Sequence, residues 1–174
     1  MSIPTTESST TGYFLKMNNA IALQNPNYLD TLLQYYEEEI AGEACFYGLA
    51  DHFRQREKSV LLARVERVAA EAVSPLLKRH GLVPRDEKIL RKEGLNDVAQ
   101  YANWSWIRFM NYIVDRYPGY IDEFEALEAM APDADLEALE KLTWHEIVVI
   151  NFAQRELAGD PRSTEVLLSY IDSA

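Results

Sequence analysis

Apolar side chains recur every three or four positions through four long stretches of this chain, and nowhere do apolar and polar residues alternate as in a half-buried strand. That spacing limits the fold to helices packed face to face. The first stretch opens with Asn25 as N-cap and Pro26 at the first helical position and runs to residue 53. Its stripe is Leu29, Leu32, Leu33, Tyr36, Ile40, Glu43, Tyr47 and Ala50. The second covers residues 57–79 and stops at His80-Gly81, with Leu62, Val65, Glu66, Ala69, Val73 and Leu76 on its inner face. A third, capped by Asn96 and ending at Tyr117 before Pro118, carries Tyr101, Trp104, Trp106, Phe109 and Tyr112 on more than one face. Rings on several faces imply packing against other helices or a second subunit. The fourth opens at Pro132 with Asp133 or Asp135 and ends at Ala158 before Gly159. Its stripe is Leu139, Leu142, Glu146, Val149, Ile150, Ala153 and Leu157.

Shorter helical pieces are expected at residues 14–24, 85–93, 120–130, and from Asp160-Pro161 to about 171. Residues 1–12 are polar and Ser/Thr-rich and read as a disordered tail, leaving 13–174 as a single domain. The expectation is an all-α fold, a four-helix bundle with short additional helices in the connections and at the C-terminus.

Charge and composition narrow the function classes. A net charge of −11 and a pI near 4.7 argue against nucleic acid, which needs a concentrated basic surface. No run approaches the apolar length of a membrane span, and the N-terminus lacks a basic start followed by an apolar core, so no membrane partner is expected. Cys45 has no partner for an intrachain disulfide and suits a reducing compartment, which makes the cytoplasm the expected location. Neither a glycine-rich phosphate loop nor an HExxH motif is present.

Three glutamates, Glu43, Glu66 and Glu146, interrupt the apolar stripes. A carboxylate turned into a helical core must be paired, protonated or bound to a metal. Glu66 and Glu146 stand near the middle of their helices and form the firmer pair. Glu43 shares its claim with Glu39 one turn earlier, and its other reading is a boundary residue paired with arginines such as Arg64 or Arg108. Glu71 falls with Arg64, Arg67, Ser74 and Lys78 on a solvated face, where Glu37 and Glu38 also belong. His145 lies on the flank with Val149 and Phe152, as a neighbour of the carboxylates, a donor behind them or an edge histidine. The candidate metal ligands are therefore Glu39, Glu43, Glu66, His145 and Glu146.

The segments EEEIAGEACFYGLADHF, LLARVERVAAEAVSPLLKRHGL and LTWHEIVVINFAQRELAGD resemble the first, second and last helices of ferritin-like di-iron carboxylate proteins, the superfamily of rubrerythrin, over about half the chain. The resemblance implies a helical bundle holding iron or manganese and an oxidoreductase activity, with Glu66 and Glu146 in the places of the glutamates of two Glu-x-x-His motifs. Ala69 and Val149 stand where those motifs carry histidine, and the third helix offers no inward glutamate, only Asp97 near its start and Asp115 on its polar side. Such a set leaves two ions short of ligands and of negative charge. The resemblance thus implies a di-metal site altered or lost. Three functions are expected from it: a metal-free structural, interaction or ligand-binding bundle taking a small apolar ligand; an iron or manganese oxidoreductase; or a metal-free enzyme using buried carboxylates as acid and base. The aromatic third helix suggests a homo-oligomer, a dimer first.

Overall fold

The computed structural model describes residues 27–173. The expected tail, the helix at 14–24 and the Asn25-Pro26 cap lie outside the described residues. Within them the chain is all helical, with seven α-helices, two 3-10 turns and no strand.

Helix α1 (Tyr28–His52) is capped by Asn27, whose side-chain oxygen accepts the Leu29 N–H at 3.0 Å. A short connection turns the chain back into α2 (Arg56–His80), which ends where Gly81 adopts the left-handed conformation at φ 67°. Helix α3 (Glu87–Asp97) then lies along the outer side of α1 and runs into a 3-10 turn, Val98–Tyr101. Helices α4 (Trp106–Arg116) and α5 (Pro118–Met130) make one bent arm. After a second 3-10 turn, Asp133–Asp135, α6 (Leu136–Leu157) packs on α2 and on that arm, and α7 (Glu165–Asp172) folds back over α2 and α6.

Two buried acids tie the ends of these helices together. Asp135 is 1% exposed; it accepts the Tyr28 hydroxyl at 2.8 Å, faces His80 Nε2 at 2.6 Å and pairs with Arg79. One carboxylate so joins the start of α1, the end of α2 and the start of α6. At the opposite end of α6, Glu156 accepts Lys58 Nζ at 2.6 Å and Trp106 Nε1 at 2.8 Å, holding α2 and α4.

The long third helix expected from Asn96 to Tyr117 is not one helix. Gly94 does not end α3, because its bare Cα lets α3 press onto α1: a Cβ there would lie 1.9 Å from the Ala41 carbonyl oxygen. Helix α3 therefore continues through Asn96. The next helix starts only at Trp106, where the Ser105 side chain accepts the Arg108 N–H at 3.2 Å. Pro118, with no N–H to return to Val114, then divides the arm. The rings expected to face two ways find neighbours within the chain. Phe109 lies 5.4 Å from Phe53 and 5.1 Å from Tyr101, and Trp106 lies 6.3 Å from Phe152.

Helix α1 is rolled by one residue from the expected stripe. Leu32, Tyr35, Phe46 and Leu49 enter the main core, whereas Tyr36 is half-buried and Tyr47 is 38% exposed. The cause is α3, which covers a second apolar flank: Ile40 meets Leu90 and Ala70 there. Glu37, expected in solvent, is buried under α3's approach and accepts both the Arg85 Nε–H and the Arg85 backbone N–H at 2.7 Å. No helix among the described residues is long and apolar enough to cross a membrane.

Since the obstacle at Gly94 is backbone, not a side chain that can swing away, Gly94→Ala is expected to separate α3 from α1 and to cost about 1–3 kcal/mol, measured by urea denaturation. An unchanged midpoint would show that the two helices do not depend on this contact.

Candidate metal centre

Rolling α1 by one residue decides which glutamate enters the core. Glu39 points inward at 4% exposed, and one turn later Gly42 leaves a notch in the helix surface. Glu66 of α2 fills that notch: a Cβ on Gly42 would lie 2.5 Å from Glu66 Oε2. From the other side α6 brings in two neighbouring residues, His145, with no exposed surface, and Glu146, 5% exposed. One ligand atom from each of Glu39, Glu66 and His145 lies within 4.8 Å of the others. Phe124 of α5 closes the site with its ring 5.7 Å from the imidazole, and the buried phenols of Tyr117 and Tyr170 complete the wall.

His145 is oriented by its own helix. Its Nδ1–H donates to the Leu142 carbonyl, which leaves Nε2 as the nitrogen turned to the carboxylates. Nε2 stands 3.3 Å from Glu39 Oε2 and 3.5 Å from Glu146 Oε1, ion-pair distance to both carboxylates for a protonated ring. Ligands held at ~2.1 Å from a shared divalent ion sit roughly 3.0–3.4 Å apart, and the 3.3 Å between Nε2 and Glu39 Oε2 falls in that range.

Protons do the neutralising in the absence of an ion. Burial, reinforced by the charge of Glu39, holds the Glu66 carboxyl well above the usual carboxylate range, and it hydrogen-bonds to Glu39. Burial also pushes Glu39 up to about 7, against the opposing pull of His145. For His145, burial alone would favour the neutral ring, but the charges of Glu39 and Glu146 outweigh it and raise its pKa well above 6.5. A divalent ion would displace the Glu66 proton and the imidazolium proton together. Two protons leaving and a doubly charged ion entering preserve the net charge of the group.

The donor set, carboxylate oxygens and one imidazole, suits iron or manganese. It suits one ion, because Ala69 and Val149 are fully buried where the resemblance calls for histidines, and neither α4 nor α5 adds a ligand to the group. His145 stands one turn before residue 149 on the same helix face and brings in an imidazole from there.

Of the five candidates read from sequence, the fold gathers Glu39, Glu66, His145 and Glu146. Glu43 goes elsewhere: it faces α3 and accepts Arg67 at 2.5 Å and Arg91 at 2.7 Å. Its partners are arginines, as for a boundary residue, though not Arg64 or Arg108. The notch at Gly42 escaped sequence reasoning; its only trace is a glycine inside an otherwise good helix-forming run. A cleft of about 280 Å³ lies outside the site, between α6 and α7, and none of the four residues lines it. Comparison with known proteins adds no relative. No family model matches the chain, and no curated protein or solved structure matches it.

The protonation states set a pH dependence. Between 4.5 and about 7 the folded chain holds a proton on Glu39 that the unfolded chain has lost, so stability falls as pH rises through that window. Stability from the raised His145 is complete below 6.5 and is also lost as pH rises through its folded value. Glu38, expected in solvent, is instead half-buried beside Gln34, and burial pushes it up to about 8, so it acts in the same direction. Metal-free protein is therefore expected to unfold at lower urea at about pH 8 than at about pH 5.5. Glu66→Gln, which mimics the protonated acid, should make that dependence shallower; a slope of opposite sign would refute these assignments.

Proposed function

We propose that the chain is a ferritin-like four-helix-bundle protein whose di-metal site is reduced to a single-ion centre, and that it works as a non-haem iron or manganese protein. The observation that carries this reading is His145: a fully buried imidazole with Nδ1 committed to a backbone carbonyl and Nε2 turned to the carboxylates of Glu39 and Glu146, in a group with Glu66 that no arginine or lysine among the described residues joins. The bundle reading is supported by three long helices, α1, α2 and α6, with the bent α4–α5 arm in the place of a fourth.

Glu39, Glu66, His145 and Glu146 would hold the ion. Bound iron or manganese supplies Lewis acidity and one-electron redox chemistry. The protein's own contribution is to orient four donors, to hold their protons until an ion replaces them, and to exclude water with Tyr117, Phe124 and Tyr170.

Protein purified without chelators should carry near-stoichiometric iron or manganese by elemental analysis, lost in a Glu66→Ala, Glu146→Ala double variant. With saturating Mn2+ the parent should melt at a higher temperature, by about 2.7 kcal/mol of added stability at a hundred times Kd. Absence of metal after both aerobic and anaerobic loading would end this reading and leave the group as a proton-sharing cluster.

Gly42→Ala separates site from fold. Its Cβ meets only the far end of the Glu66 side chain, which can swing aside. Mn2+ affinity by calorimetry is expected to fall roughly 10–100-fold, while stability changes by less than about 1 kcal/mol. Equal affinities would mean that Glu66 is not a ligand.

A further inference from the structure

The cleft between α6 and α7 is built from one face of each helix. Trp144, Ile147, Val148, Asn151 and Arg155 recur at helical spacing along α6 and share its side of the cleft. Helix α7 runs back along that face. Its last turn is fixed where the Tyr170 hydroxyl donates to the Lys141 carbonyl at 3.1 Å, Lys141 Nζ donates to the Ser173 carbonyl at 2.9 Å, and the Tyr170 ring stands edge-on to Trp144 at 5.2 Å. Its first residues, Glu165 and Val166, therefore lie toward the Arg155 end. The two ends of the cleft differ in chemistry. Trp144 and Ile147 are 41% and 47% exposed, and with Val148 and Val166 they line it with apolar surface left in water. At the polar end Arg155 Nε–H donates to Asn151 Oδ1 at 2.9 Å, which aims the guanidinium, while Nη1 stands 3.9 Å from Asp160 Oδ2, too far for a hydrogen bond. The exposed Glu165 carboxylate has neither a hydrogen bond nor an ion pair among the described residues. A cation and an anion thus line one cleft, each with bonding capacity unused.

We propose that this cleft binds a free α-amino acid with a large apolar side chain. Its carboxylate accepts from the Arg155 guanidinium, its ammonium donates to Glu165, and its side chain covers Trp144 and Ile147. Charge selects this class over its neighbours. An apolar acid would meet Glu165 and an apolar amine would meet Arg155, so each leaves one wall facing a like charge. A phosphate-bearing ligand meets Glu165 and a chain of net charge −11. A molecule with both charges on adjacent groups and an apolar body satisfies the polar end and the apolar end together. Size agrees: about 280 Å³ lies at the lower edge of small-molecule sites, roughly 300–1,000 Å³, with room for one such molecule and not for a nucleotide or flavin. None of Glu39, Glu66, His145 and Glu146 lines the cleft, so this binding is independent of the metal reading.

Nuclear magnetic resonance of the full nitrogen-15-labelled chain tests this with L-phenylalanine as the probe. The indole N–H signal of Trp144, identified by its absence in Trp144→Phe, should move on titration with a Kd of about 1 mM, while those of Trp104 and Trp106 stay in place. Phenylpropanoate, which lacks the ammonium, and phenylethylamine, which lacks the carboxylate, should each bind roughly tenfold more weakly. This series uses the parent chain and needs no variant to fold. Glu165→Gln should weaken L-phenylalanine and phenylethylamine but not phenylpropanoate; Arg155→Gln should weaken L-phenylalanine and phenylpropanoate but not phenylethylamine. A Trp144 signal that does not move at ~10 mM L-phenylalanine, or equal affinity for the three compounds, overturns the proposal. So does a Trp144 signal that shifts with protein concentration in the absence of any ligand, which would give this face to a second copy of the chain.

Discussion

Three carboxyl groups and an imidazole share a core from which water is excluded, and each must be neutralised by another of the four or by an ion. The rest of the centre follows from this. Glu66 keeps its proton because Glu39 is already the better-stabilised carboxylate, and it reaches Glu39 only because Gly42 has no side chain. The imidazole takes the tautomer that its own helix allows, with Nε2 inward. The Phe124 ring packs 5.7 Å from the imidazole.

The contrast with the periphery sharpens the point. Four acids that hold helices together each have a cation: Arg67 and Arg91 for Glu43, Arg85 for Glu37, Arg79 for Asp135, Lys58 for Glu156. Among the described residues the central group receives no arginine or lysine. A purely structural cluster would be more stable with one, or with apolar replacements such as those at Ala69 and Val149. Acids kept in the core beside a titratable imidazole are what the proposed single-ion centre would need.

How far this could be read beforehand varied by element. Helices α2 and α6 were plain, because each has one apolar stripe bounded by a clear stop, Gly81 or Gly159, and so Glu66 and Glu146 were placed correctly. Helix α1 was ambiguous because it is covered on two flanks. Its apolar residues fit two stripes one position apart, and the difference exchanges Glu43 for Glu39. The third long helix failed for a related reason: Gly94 looks like a terminator in one dimension, whereas its use is to bring two backbones together. His145 was legible as a neighbour of Glu146, but adjacent residues on a helix point about a quarter-turn apart, and spacing does not say that both enter the core.

What the sequence determined by itself was the helical class, the two midpoint glutamates and the absence of histidine at positions 69 and 149, since these depend on periodicity and residue identity within single segments. Only the tertiary structure decided the roll of α1, the notch that seats Glu66, the capture of Glu43 by Arg67 and Arg91, and the inward imidazole. Each of these depends on which of two equally apolar flanks meets which neighbour, and that choice is made by packing between segments distant in the chain.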